Sequence, residues 1–214
     1  MIISWLGHAS FIIKTAEKTI ITDPFDERSG YTPWQQPVDI ATVSHDHWDH
    51  NAVHVLKGNP QIIKKETGPF NFPGITITGF SSYHDKNKGA DRGNNTIYKI
   101  MAEDISLVHL GDQGTLPDKE LIAQIGRVDI LLTPVGGTYT LDAEDAFKIV
   151  QQLNPKIVIP MHFQTPHLSF KLAPVEAFTC KYNQVIKLPY LEINRTEISE
   201  SLQIIVLDYI TRTS

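Results

Sequence analysis

The sequence predicts an α/β fold in a single domain. Its first half consists mainly of short apolar, β-branched runs separated by turn residues, and its second half alternates such runs with segments of helical spacing. A chain of 214 residues is long enough for one sizeable core and short for two. Several strand-like runs also end at a histidine or an aspartate. We therefore expect residues 1–214 to form one domain with polar groups gathered at strand ends.

The first three strand-like runs are separated by turn residues and predict an antiparallel meander. They cover residues 2–5, 10–14 and 19–22. Asp23-Pro24 ends the third run, and residues 25–37 are rich in glycine, proline and charge. This composition predicts a surface loop long enough to reach over a site.

The rest of the chain predicts a strand-rich middle followed by alternating helices and strands. A helix is expected to begin at His50 or Asn51, and residues 97–101 and 105–110 predict a hairpin. Acidic residues in the first turn favour a helix at 142–153, which Pro155 stops. The remaining predicted strands cover 38–44, 62–64, 75–80, 128–133, 156–161, 185–188 and 202–208, and the remaining predicted helices cover 116–125 and 174–182.

The composition is that of an ordinary soluble globular protein, with 41% hydrophobic and 20% charged residues. A net charge of −5, with no basic stripe beyond pairs such as Lys64-Lys65, argues against nucleic-acid binding. No apolar run approaches the roughly 20 residues that a membrane span needs, and residues 1–5 lack the basic start of a signal peptide. We therefore expect a cytoplasmic protein without a membrane partner. Because Cys180 is the single cysteine, a metal site would consist of histidine and carboxylate.

The segment from His45 to His50 has the composition and spacing of a metal site. It contains three imidazoles and two carboxylates in six positions, a cluster that is costly to bury unless something binds the lone pairs. In an extended segment residues i and i+2 point the same way, so His45 and His47 can hold one ion from one side. Asp49 and His50 would then face a second ion nearby.

Three further strand-like runs also end at potential metal ligands. His84, Asp112 and His162 each follow such a run, and residues 45–50 follow another. A fold that brings these strand ends to one edge of a β-sandwich would gather them around a pair of ions.

This arrangement resembles the metallo-β-lactamase superfamily, whose His-x-His-x-Asp-His motif is matched by residues 45–50. Shorter phrases at 5–11, 22–24 and 109–112 are similar to the branch that includes ascorbate-6-phosphate lactonase, and the resemblance extends from Gly7-His8 to His162. It implies an αββα four-layer sandwich. The chain has no cysteine at the second-metal position, unlike common β-lactamases of this superfamily, and no inserted nuclease domain.

The resemblance also implies a set of metal ligands. His45, His47 and His84 would hold the first ion, whereas Asp49, His50 and His162 would hold the second. Asp112 would bridge the two ions. We expect two divalent ions, zinc first, with manganese or iron as alternatives.

The expected activity is that of a metal-dependent hydrolase acting on a small molecule. A metal-bridging hydroxide would cleave an ester-like bond, a lactone or a phosphoester, and Asp49 or Asp112 would transfer the proton. The alternative is a di-iron oxidoreductase, whose members in this superfamily typically have glutamate where this chain has His47 and use a flavin domain that is absent here. A homo-oligomer is compatible with the sequence.

Four further residues have roles that the sequence leaves open. His8 either donates to a ligand carboxylate or substrate, or makes a hydrogen bond at a strand turn. Asp23 is expected to accept a hydrogen bond from a ligand histidine. Asp46 either orients a ligand or is a solvated acid, and Tyr139 either contacts substrate or belongs to a simple turn.

Overall fold

The computed structural model of the protein describes residues 1–168 and 170–210, which form two facing β-sheets. The first sheet has the strand order β13-β1-β2-β3-β4-β5. The meander predicted at its start is present, because β2 pairs antiparallel with both β1 and β3. Its strands are β1 (Ile2–Gly7), β2 (Ser10–Lys14), β3 (Thr19–Thr22), β4 (Ile40–Val43), β5 (Gln61–Lys64) and β13 (Leu191–Glu192).

The second sheet has the order β12-β14-β11-β10-β9-β8-β7-β6 and combines an antiparallel with a parallel half. Strands β6 to β9 pair antiparallel, whereas β9, β10, β11, β14 and β12 pair parallel. Its strands are β6 (Gly68–Phe72), β7 (Ile75–Tyr83), β8 (Asn94–Ala102), β9 (Ile105–His109), β10 (Ile130–Pro134), β11 (Ile157–Met161), β12 (Val185–Leu188) and β14 (Gln203–Leu207).

Three α-helices connect the later strands: α1 (Lys119–Ile125), α2 (Ala143–Leu153) and α3 (Glu176–Thr179). The side chains of Asp118 and Asp142 accept hydrogen bonds from backbone N–H groups in the first turns of α1 and α2. Helix α2 packs against β10 and α3. Among the described residues, no helix is long and apolar enough to cross a membrane.

Side-chain alternation along the first sheet supplies two apolar faces. Trp5, Phe11 and Ile20 belong to the core shared with the second sheet, whereas Leu6 and Ile12 point the other way. The outward face is covered by apolar side chains from the 25–38 loop and by Leu168, Phe170 and Leu172, and not by long helices. The α/β class is therefore confirmed, and loops cover the first sheet where the four-layer expectation would put helices. A single domain over 1–214 stays a prediction.

The structure differs from the sequence prediction in several local elements. Strand β13 was not predicted, and α3 covers only Glu176–Thr179 of the helix predicted at 174–182. The helix expected from His50 or Asn51 is replaced by one short 3₁₀ turn, Val53–Val55. The rest of this connection between β4 and β5, which carries residues 45–50, is an irregular loop. Strand β6 was also not predicted, because its first two residues, Gly68 and Pro69, are typical of turns. It is an edge strand and pairs with β7.

Asp129 immediately precedes β10 and is the centre of a buried polar cluster near the beginning of that strand. Its buried carboxylate accepts hydrogen bonds from the Ser106 backbone N–H at 2.8 Å and from Arg127 and Arg195 at 2.6 and 2.7 Å. Burial opposes ionisation, but the hydrogen bonds from Arg127 outweigh it and lower the pKa of this carboxyl. The carboxylate thereby connects β9, β10 and the chain after β13.

We expect Asp129→Ala to lower the free energy of unfolding by about 2 kcal/mol, because it leaves a buried N–H and two guanidinium groups without their acceptor. Urea unfolding at pH 7 measures this, with Glu120→Ala on the exposed side of α1 as the control. The pKa of Asp129 is lowered in the folded protein, so its contribution is present above the ordinary carboxyl pKa and is lost as the pH falls. The difference between wild type and variant should therefore narrow below about pH 4. An unchanged midpoint at pH 7 would contradict this role.

Candidate metal centre

Six strand ends meet at one edge of the two sheets. In the first sheet β1, β3 and β4 run in the same direction, because β1 and β3 are both antiparallel to β2 and β4 is parallel to β3. In the second sheet β7, β9 and β11 share a direction for the same kind of reason. The residues that follow these strands are His8, Asp23, His45, His84, Asp112 and His162.

The backbone turns sharply directly after several of these strands. His8, Asp23 and His162 have φ values of 53°, 39° and 52°, in the left-handed region that non-glycine residues rarely adopt. Such strain is commonly concentrated at functional sites. At Gly111 a β-carbon would lie 2.6 Å from Ser44 Cβ, so only glycine lets the end of β9 approach the end of β4 this closely.

Asp112 is the geometric centre of the site. Its Oδ2 atom lies 3.2 Å from His84 Nε2 and 3.3 Å from the Nε2 atoms of His50 and His162, and His45 Nε2 is 3.8 Å away. The side chain is almost completely buried. Burial opposes ionisation, but the surrounding imidazoles outweigh it and hold the pKa of Asp112 well below its usual range. Asp112 is therefore a buried carboxylate whose environment favours the charged form.

Asp23 determines the orientation of two of these imidazoles. Its Oδ2 accepts hydrogen bonds from His50 Nδ1 at 2.9 Å and from the Ser44 hydroxyl at 2.6 Å, and its Oδ1 accepts from the Ser44 N–H at 2.7 Å. Because the Ser44 hydroxyl donates to Asp23, it can accept from His45 Nδ1 at 2.9 Å. These hydrogen bonds assign a proton to Nδ1 of both histidines and direct their Nε2 atoms to the site, where a metal ion can bind them. The hydrogen bond expected between Asp23 and a ligand histidine is present.

The imidazoles form two groups with ligand atoms within 4.8 Å of one another. The first group is His45, His47 and His84, the same three residues that the resemblance implied for the first ion. The second group contains His50 and His162, as expected, together with His8. The assignment of all seven ligands stays a prediction, although the structure brings these residues together.

His8 joins the second group from the turn between β1 and β2. Its Nε2 lies 3.1 Å from Asp49 Oδ2 and 3.0 Å from His50 Nε2. Burial lowers the pKa of His8 to about 4, so the imidazole is neutral at pH 7 and its Nε2–H can donate a hydrogen bond to Asp49. The sequence carried one signal for this position, since Gly7-His8 directly follows a strand-like run.

Two buried atoms at the centre of the site are suited to bind a cation. His45 Nε2 and Asp112 Oδ1 are buried and have no hydrogen-bond partner within the part of the chain that the structure describes. Unpaired buried acceptors are costly, whereas imidazole nitrogen and carboxylate oxygen are normal ligands of divalent metals. The donor set therefore fits divalent metal binding.

A cavity of about 310 Å³ opens directly above these ligands. Its floor contains His47, Asp49, His84, Asp112 and His162. Its walls are Trp48, Tyr139, Phe170 and Arg92. Of these wall residues, the sequence singled out only Tyr139, because loop side chains carry no periodic signal.

Two polar residues near the motif are not part of the floor. Asp46 is exposed and forms ion pairs with Lys64 and Lys65, so it does not orient a ligand. His109 is buried and its Nε2 donates to the Ala9 carbonyl at 2.8 Å, which connects the two sheets.

Relatives of this chain are known both as sequences and as structures. A UPF0173 metal-dependent hydrolase of Staphylothermus marinus is 33% identical, and the match covers 77% of this chain and 84% of that protein. A UPF0173 metal-dependent hydrolase of Carboxydothermus hydrogenoformans is 30% identical and covers 77% of this chain and 85% of its own length.

A Thermotoga maritima crystal structure, of a protein assigned as a Zn-dependent hydrolase of the metallo-β-lactamase superfamily, superposes with a TM-score of 0.82. It is 35% identical, and the match covers 96% of this chain and 97% of that one. The family model described as the β-lactamase superfamily domain matches residues 2–162. The chain therefore belongs to the metallo-β-lactamase superfamily and has its α/β fold.

Proposed function

We propose that this protein is a hydrolase that uses two divalent metal ions to cleave an ester-like bond, a lactone or a phosphoester, in a small molecule. The observation that carries the proposal is the convergence of four imidazole Nε2 atoms within 3.8 Å of Asp112 Oδ2, beneath an open cavity. The relatives named above are metal-dependent hydrolases, which supports the reaction class.

The proposed ligands of the first ion are His45, His47 and His84, and those of the second are Asp49, His50 and His162. Asp112 would bridge both. We assign His8 the role of donating a hydrogen bond to Asp49, because its neutral imidazole lies 3.1 Å from that carboxylate. Zinc suits this mixture of imidazole and carboxylate, and manganese or iron are the alternatives.

Bound dications would supply a water of lowered pKa and positive charge for the oxyanion that develops during hydrolysis. The chain itself supplies three further contributions. Asp23 holds His45 and His50 in fixed orientations, so little reorganisation is needed on binding. Asp49 is ionised, since the hydrogen bond from His8 outweighs burial and lowers its pKa, and it can accept a proton at the cavity floor. Trp48 and Phe170 supply apolar surface on the wall of the cavity.

The di-iron oxidoreductase alternative is not favoured. The similar proteins named above are hydrolases, and this chain has His47 where the redox members typically have glutamate.

Single-site variants should separate the two proposed metal sites. We expect His84→Ala and His162→Ala each to lower metal content by about one ion from a wild-type value of about two, because each removes a ligand of a different ion. Elemental analysis after dialysis measures this content. Asp46→Ala is the matched control, since Asp46 belongs to the same motif but faces solvent. Full metal content in both histidine variants would contradict the assignment.

Turnover should depend on the same centre. A screen of chromogenic esters, lactones and phosphodiesters identifies a substrate class, and chelator should abolish its hydrolysis. His47→Ala and Asp112→Ala are then expected to lower kcat/KM by about a thousandfold or more while the far-UV circular dichroism stays unchanged. Activity retained by either variant would exclude that residue from the site.

Asp23→Asn tests the orienting network separately from the ligands. Asparagine is uncharged and has one acceptor oxygen instead of two, so it cannot replace all three hydrogen bonds of the carboxylate. We therefore expect metal affinity to fall about 10- to 100-fold. Competition with a chromophoric chelator measures the affinity. Asp129→Asn, a buried aspartate at the far edge of the sheet, serves as the control and should bind metal normally. Equal affinities in the two variants would show that Asp23 has no orienting role.

A further inference from the structure

The cavity above the proposed metal centre has one cationic wall residue, Arg92. Arg92 belongs to the loop between β7 and β8, and it is the only lysine or arginine among the residues that line this cavity. The floor is occupied by proposed metal ligands, and the other wall residues are aromatic. Arg92 is therefore the cationic side chain that a substrate bound in this cavity can contact.

Asp85 holds the loop that carries Arg92. Its Oδ1 accepts hydrogen bonds from the backbone N–H groups of Asn87 and Gly89, at 2.7 and 3.0 Å. Its Oδ2 accepts from those of Asp91 and Arg92, at 3.1 and 2.8 Å. Because Asp85 directly follows His84, the loop is anchored next to a proposed metal ligand. The backbone of Arg92 is thus positioned relative to the floor of the cavity.

The Arg92 side chain is held by an aromatic ring and not by an acid. Its guanidinium lies 4.5 Å from the centroid of Tyr139, a cation–π contact. Within residues 1–168 and 170–210 it forms no ion pair, whereas Lys86 on the same loop pairs with Asp145 at 2.8 Å. Stacking on a ring face leaves the N–H groups at the edge of the guanidinium free to donate.

The overall charge of the protein does not draw anions into the cavity. With a net charge of −5, the protein as a whole repels anions. A local, unpaired guanidinium is the group that can reverse this preference at one wall, and its planar fork matches a carboxylate or phosphate.

We propose that Arg92 binds an oxyanion group of the substrate, remote from the bond that is cleaved. The substrate is then a small ester-like molecule with an apolar body against Trp48 and Phe170 and a carboxylate or phosphate at Arg92. This inference rests on the proposed metal-dependent hydrolase, since the metal centre positions the reacting end.

Paired hydroxamates test the proposal without a known substrate. Adipic monohydroxamic acid and hexanohydroxamic acid carry the same metal-binding group and the same chain length, but only the first ends in a carboxylate. Titration calorimetry with the metal-loaded protein gives their affinities. A third probe, with a phosphonate in place of the carboxylate, distinguishes a preference for phosphate from one for carboxylate.

We expect wild-type protein to prefer the carboxylate or phosphonate probe over hexanohydroxamic acid by about tenfold, as for one hydrogen-bonded charge pair. Arg92→Gln should remove this preference while leaving the affinity for hexanohydroxamic acid unchanged. Arg92→Lys, which keeps the charge without the fork, should retain only part of it. Lys88→Gln is the matched control, because it removes one positive charge from the same exposed loop outside this cavity and should leave the preference intact.

Three results would overturn the inference. Equal affinities of all three probes for wild type would show that no oxyanion site exists, although the metal centre would stand. An equal loss for all probes in Arg92→Gln would show that Arg92 only supports the loop. Failure of wild type to bind any hydroxamate would contradict the metal centre itself, and this inference would fall with it.

Discussion

The burial of the Asp112 carboxylate is the constraint on which the rest of the site depends. A charged carboxylate in a low-dielectric interior is stable only if positive or hydrogen-bonding groups surround it. Here imidazoles from three other strand ends approach one of its oxygens within 3.3 Å. The two sheets must therefore meet along this edge, and Gly111 permits the necessary approach. The divalent cation proposed above would balance the negative charge of this carboxylate.

Three buried aspartates of this protein have different surroundings. Asp112 faces the cavity, whereas Asp23 is fully buried behind it and accepts hydrogen bonds from Ser44 and His50. The position of Asp112 suits ion binding. The position of Asp23 suits the orientation of the ligand histidines, because a hydrogen bond to one ring nitrogen leaves the other directed at the site. Asp129, also buried, lies at the far edge and joins strands. Similar side chains thus serve binding, orientation or stability according to which strand end carries them.

The walls of the proposed substrate cavity come from loops rather than strands. Trp48, Tyr139, Phe170 and Arg92 come from four separate connections, and together they surround a cavity of about 310 Å³. The proposed metal ligands follow strand ends, whose relative positions are fixed by the pairing of the strands. The loops that carry the wall residues can vary in sequence without disturbing the sheets. The same scaffold can accordingly serve different substrates, and an unpaired arginine on one loop is a physical basis for selecting anionic ones.

The sequence by itself determined the strand pattern, the α/β class and the cluster at residues 45–50, because periodicity and ligand spacing are local properties. Sequence reasoning also picked out His84, Asp112 and His162, since each directly follows an apolar run. It expected Asp23 to accept a hydrogen bond from a ligand histidine and left the role of His8 open. It did not reveal that β1 and β3 end at the same edge, which is why both residues lie beside the cluster, nor that Arg92 faces Tyr139. Only the tertiary structure decided these contacts, because strand order and loop conformation arise from packing between segments far apart in the chain.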